Sequence, residues 1–275
     1  MELIKGMDVS AGHQIAWINS KAKEVWADVI SGINADLHNL EMKSVEVEDR
    51  QCGTVTMSPK ELISTADRHP DLIFHPLKNV RKFDGFNHRH EEPVPGEDFY
   101  TYYAYSKSAE GIKSFRRAYT ENNHQDIGSL LGFPNCCARF FELSWGSGYI
   151  DPIWQAAVNT ADIKDGNRTV EIEAHPLSNP LLRYVGIRAG FHIPHSFHCK
   201  ESIKIGEARL RLLPKDKADL IIALLSMPMT WTVLHGIAEI RTPIFWIVTG
   251  SVPTKHRYTV KVLGKFIPRE AEKDD

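Results

Sequence analysis

Ten apolar residues between positions 13 and 40 constrain this chain more than any other feature. Ile15, Ile18, Ala22, Val25, Trp26, Val29, Ile30, Ile33, Leu37 and Leu40 recur mostly at steps of three and four. That spacing lines one side of an α-helix, because residues three and four apart share a face. Lys21, Lys23, Glu24 and Asp28 fill the opposite side, and Gly32 weakens the helix locally. A stripe of this length must be covered by a further layer, so the chain needs a sizeable core. The stripe predicts architecture and carries no chemistry.

The sequence of 275 residues is long enough for that core. Alternating and helical patterns follow one another without a repeat or a convincing linker. This predicts an α+β fold, a single domain over 1–275 with mixed helices and a mostly antiparallel sheet. A subdivision into 1–125 and 126–275 is the alternative. A formal net charge of −2 gives no global electrostatic case for nucleic-acid binding. The N-terminal residues lack the apolar run of a signal peptide, and the most hydrophobic segments, 220–225 and 244–248, are too short to cross a bilayer. Four cysteines without a secretion signal fit reduced thiols rather than a disulfide framework. Together these point to a cytoplasmic protein.

Ser44–Glu48 alternates and reads as a strand. Ser58-Pro59-Lys60-Glu61 is a capping box with proline at the first helical position, opening a helix through about Asp67. Asp71–His75 reads as a buried strand and Phe99–Tyr105 as an aromatic one. Between them lies a Pro/Gly-rich loop whose His88, His90 and Glu91 are best read as solvated. Ser108 opens an amphipathic helix with Ile112, Phe115, Ala118 and Tyr119 inward. A short helix over 126–131 ends at Gly132, a natural left-handed cap. Asp151–Gln155 begins another turn or helix, 159–168 is a polar connection, and 169–174 is a strand. Asn179–Gly186 reads as a short helix. A helix from about Ser196, with Ser196 as its cap, runs towards Leu213, and another spans 215–225. The tail, 231–250 and 258–265, is β-rich with a break at Pro243.

Two stretches hold the chemistry. Gly132-Phe133-Pro134-Asn135-Cys136-Cys137 and Phe191-His192-Ile193-Pro194-His195-Ser196-Phe197-His198-Cys199 contain three of the four cysteines and three of the thirteen histidines. Each lies where a loop turns into a helix, where exposed N–H groups and the helix dipole favour a thiolate. Successive helical residues point about 100° apart, so only one of Cys136 and Cys137 aims squarely at a given point unless the turn is distorted. His195 and Cys199, four apart, meet on one side of a helix starting near Ser196. Cys136, Cys137, His195 and Cys199 thus form a candidate metal-ligand set, suited to zinc or to an iron–sulfur cluster. There is no CxxC and no HExxH. Two buried thiols and surface histidines are the bland alternative, and a cysteine nucleophile with His192 as its base is the metal-free rival.

Leu131-Gly132-Phe133-Pro134-Asn135-Cys136-Cys137, Asn179-Pro180-Leu181-Leu182-Arg183 and His192–Cys199 together resemble a poorly characterised prokaryotic and phage family with LGxPxCC and HxPCSFxC motifs. His235-Gly236-Ile237-Ala238-Glu239 resembles it too, and the match covers roughly the second half of the chain. The resemblance implies a metal or iron–sulfur site and supplies no activity. This chain departs from the motif at His195, where the family has a cysteine, which argues against an all-cysteine cluster. Arg183 falls within a matched stretch and joins His192, His235 and Glu239 as a candidate catalytic residue. On a strand running from Trp231 to Arg241, His235 and Glu239 share a face but lie roughly 13 Å apart. They cannot bind one ion together, and a Glu239–Arg241 ion pair is the simpler reading. The expected protein is a metalloenzyme with a Cys/His centre acting on a small polar substrate. The alternatives are a cysteine-nucleophile enzyme and a binding protein with a structural zinc site.

Overall fold

The computed structural model describes residues 13–81, 92–96, 98–146, 151–163 and 166–265. His88, His90 and Glu91 lie outside the described residues. In chain order the elements are β1 (His13–Trp17), α1 (Ser20–Glu46), β2 (Cys52–Met57), α2 (Pro59–Arg68), β3 (Ile73–Val80), β4 (Tyr100–Ser106), α3 (Ala109–Thr120), α4 (His124–Leu130), α5 (Asn135–Gly146) and α6 (Pro152–Ala161). There follow β5 (Thr169–Ile172), two short 3-10 turns, α7 (Lys200–Leu210), α8 (Lys215–Leu225), β6 (Met229–Leu234), β7 (Ile237–Arg241), β8 (Phe245–Gly250) and β9 (Tyr258–Val262). The fold is α+β, and its sheets are mostly antiparallel. The chain divides into two compact units, residues 38–142 and residues 1–37 with 143–275.

The smaller unit is built on an antiparallel sheet in the order β2-β4-β3. Strand alternation sends Tyr103 and Tyr105 to one face, where they pack with Met42, Val45, Met57 and Leu72. Ala104 and Cys52 face the other way, against Ile112, Phe115 and Leu131. Ser58 and Glu61 form the expected capping box of α2, and Ser108 caps α3. After α4 the chain reverses at Gly132, whose φ is +71° and whose missing Cβ would sit 2.8 Å from Arg50 Cβ. A side chain is excluded there on both counts. Arg50 is itself fixed, with Nε donating to Ser44 Oγ at 2.8 Å and a terminal nitrogen donating to Tyr105 Oη at 2.9 Å. This anchored reversal delivers Pro134 and the start of α5.

The larger unit carries a six-stranded sheet in the order β1-β8-β7-β6-β9-β5, in which only β5 and β9 run parallel. Trp231, Val233, Ala238, Ile240, Ile247 and Val260 line its buried face. Helix α6 packs on β5 and β9, where the Trp154 and Tyr258 ring centroids lie 4.6 Å apart. Its start is pinned by buried Asp151, which accepts from Ile153 N at 2.8 Å and from the Ser251 hydroxyl. Burial pushes the Asp151 carboxyl above the usual carboxylate range, opposed by these donors.

Four expectations about local structure need correction. Residues 13–17 form a strand, because β1 finds β8 as a partner more than 220 residues away in sequence. Ser44–Glu48 is no strand. Helix α1 continues to Glu46, since Val45 packs in the core at 1% exposure while Val47 stays out at 50%. The strand expected as buried at Asp71–His75 is β3, an edge strand with Ile73 44% exposed. Trp231–Arg241 is a hairpin. His235 (φ 55°) and Gly236 (φ 81°) form the two-residue turn between β6 and β7, with Leu234 opposite Ile237. Positive φ at both positions is what the right-handed twist of a tight hairpin requires.

Candidate metal centre

Cys136 and Cys137 occupy the first turn of α5. Pro134 O accepts from both Cys137 N and Ala138 N at 2.9 Å, tightening that turn. The two sulfurs lie 3.9 Å apart. The angular separation expected of neighbouring helical residues describes their Cα–Cβ bonds. Each sulfur lies beyond Cβ on a rotatable bond, so two neighbouring thiols can approach although their Cα–Cβ bonds diverge.

His195 and Cys199 meet for a different reason from the one expected. Helix α7 begins at Lys200 with Cys199 as its N-cap, so the two residues do not share a helical face. They flank a turn closed by Cys199 N donating to Ser196 O at 3.1 Å. Ser196, expected as the cap, instead accepts from His198 N within that turn. The turn is held on several sides. Asn159 Nδ2 donates to His195 O at 3.0 Å, and Phe197 N donates to Thr160 Oγ1 at 2.8 Å. Ser178 Oγ and His175 N both donate to Phe197 O. Phe197 is fully buried and acts as the plug. Cys199 Sγ accepts from Ser202 N at 3.4 Å, a hydrogen bond that caps α7 and favours sulfur with negative charge.

The result is one group. A ligand atom from each of Cys136, Cys137, His195 and Cys199 lies within 4.8 Å of all the others. These are the four residues expected as metal ligands. No protein-family model, no curated protein and no solved structure matches the chain. The case for the centre therefore stands on its geometry and its donor atoms. Three thiols and an imidazole are a soft set with the composition of a metal site. No disulfide joins the four cysteines. Cys52 stands apart from the group, buried in β2 with its thiol donating to Gly111 O at 3.4 Å, and burial pushes that thiol's pKa upward.

The candidate catalytic residues lie outside this group. His192 shares a 2.7 Å hydrogen bond between Nε2 and Ser202 Oγ. Burial, then Arg209 and His195, push its imidazole down to about 3. Arg183 donates to Pro180 O at 3.1 Å and to Tyr184 Oη at 2.6 Å, stacked over the Tyr184 ring. His235 sits exposed on the hairpin turn, and Glu239 pairs with Arg241 at 3.3 Å, the simpler of the two readings weighed for it. Sequence reasoning did not find Asn159, Thr160, Ser178 or Ser202. Asn159 and Thr160 fall in what reads as a polar connection but is the last turn of α6, and nothing in their spacing to His195 signals the contact.

His192 makes stability depend on pH in a defined direction. Its folded value of about 3 lies below the unfolded value of about 6.5, so folding favours the neutral ring. Its contribution is complete above about pH 6.5 and is lost as pH falls towards 3. A fully desolvated ring costs about 3 kcal/mol at pH 4.5 by this linkage. The residue keeps part of its surface in solvent, which reduces that to about 2 kcal/mol. Urea unfolding at pH 7 and pH 4.5 is expected to show this drop in the parent chain and a smaller one in His192→Asn.

Proposed function

We propose that Cys136, Cys137, His195 and Cys199 bind a single zinc ion, making this a zinc protein rather than an iron–sulfur protein. The spacing of the donors carries the reading. Zinc–sulfur bonds of about 2.3 Å at the tetrahedral angle separate two sulfurs by about 3.8 Å, against 3.9 Å for Cys136 and Cys137. Thiolates on separate irons of a cluster are held apart by its inorganic core, whereas all four donors here lie within 4.8 Å of one another. The resemblance of the two motif stretches to the prokaryotic and phage family supports the same four positions.

The weak basicity of His192, with Nε2 engaged by Ser202, works against a thiol nucleophile activated by that histidine. A metalloenzyme acting on a small polar substrate remains the functional class proposed, with His192 bracing the ligand loop. Elemental analysis and an absorption spectrum of protein purified without oxygen test the assignment. About one zinc per chain and no visible colour are expected. Iron with inorganic sulfide and a broad visible band would establish the cluster instead, and metal-free, folded protein would remove both.

A further inference from the structure

The four donors differ in how solvent reaches them. Cys137 and Cys199 are buried at 1% and 3% exposure, and His195 is half-buried. Cys136 is exposed. Cys199 and His195 are also held from behind. Cys199 Sγ receives the Ser202 N–H, and the His195 backbone is fixed by Asn159. Phe197, between these two ligands, is pinned by Thr160, Ser178 and His175. A site that serves only to hold a fold keeps all four ligands closed around the ion, whereas a reactive zinc presents one position to incoming molecules.

We infer that Cys136 is an exchangeable ligand, and that the position it occupies is where a small thiol substrate binds the zinc as thiolate. This rests on the zinc reading above. The exchange balances without an oxidant. The incoming thiol gives its proton to the departing Cys136 sulfur, the zinc–Cys136 bond breaks, and a zinc–thiolate bond to the substrate forms. Charge on the ion's donor set is unchanged, since one thiolate replaces another. A sulfur nucleophile is thereby activated at neutral pH while Cys137, His195 and Cys199 retain the ion. A tethered ligand competes at an effective concentration of roughly millimolar, so a free thiol must be present at that level to displace Cys136. Removing the Cys136 sulfur should lower the requirement.

The test uses the full chain with cobalt(II) in place of zinc, because sulfur-to-cobalt charge-transfer absorption counts the bound thiolates. Parent protein, Cys136→Ala, Cys136→Ser and Cys137→Ala are compared, with circular dichroism verifying their folds. Cys136→Ala and Cys136→Ser are expected to keep one ion per chain and to lose about a third of the charge-transfer intensity, one thiolate in three. Titration with 2-mercaptoethanol should restore that third in both. Cys137→Ala should lose the ion. The inference is overturned if the Cys136 variants lose the ion as completely as Cys137→Ala. It is equally overturned if they keep it but do not respond to thiol at about ten millimolar, above the tethered concentration. A parent chain that takes up no ion sinks the zinc reading itself, which separates that failure from this one.

Discussion

Cys199→Ser is expected to empty the centre while leaving the chain folded, with zinc falling from about one ion per chain to below about a tenth. The substitution discriminates well because Cys199 has two separable jobs. Its sulfur is a member of the four-donor group, and it also caps α7 by accepting from Ser202 N. Serine is among the preferred N-cap residues, so the helix start survives. A serine hydroxyl, however, is not a thiolate and is a poor ligand for a soft site. Cys52→Ser is the matched control. It changes an equally buried sulfur that lies outside the group and donates to Gly111 O. Metal analysis after gel filtration gives the answer. Equal loss of zinc in both variants would show that the ligands have been misassigned.

His195 gives the second large effect. His195→Ala removes one of four donors and is expected to weaken zinc by more than the roughly 10–100-fold typical of losing an outer hydrogen-bond partner. His195→Cys should retain the ion, because a thiolate replaces imidazole readily at zinc. The hydrogen bond from the Asn159 side chain to the His195 main-chain O persists in both variants, so the loop keeps its path. Competition against a chromophoric chelator measures the difference. Full affinity in His195→Ala would move His195 from ligand to neighbour.

Short-range chemistry was legible and long-range pairing was not. The capping box at Ser58, the cap at Ser108, the glycine stop at Gly132 and the α8 span all follow from rules spanning a few residues, and each is found. Ser44-Val45-Glu46-Val47-Glu48 misled because two-residue alternation is a prior for strand only when the neighbourhood is undecided. Here α1 arrives with its stripe already committed, and Met42 and Val45 complete the packing against Tyr103 and Tyr105. Residues 13–17 misled in the opposite sense, since Ile15 fits the helical stripe but pairs with Ile247. The candidate ligands were recoverable from residue type and motif. How they meet was not, because the His195–Cys199 turn is set by Asn159 and Thr160, about 36 residues earlier.

The pairing of His13 with Thr249, at opposite ends of the described chain, has a consequence for biosynthesis. The smaller unit is one uninterrupted run, residues 38–142, and all its strands have left the ribosome before the larger unit can begin to close. Domains generally fold as units during translation. Strand β1 emerges before the smaller unit but must wait, with its hydrogen-bonding edge unsatisfied, until β8 is made. Pairings of such long sequence separation form slowly. The first of the described strands is therefore among the last to be secured, and a ribosome stalled before Phe245 leaves a chain with one finished unit and one open sheet.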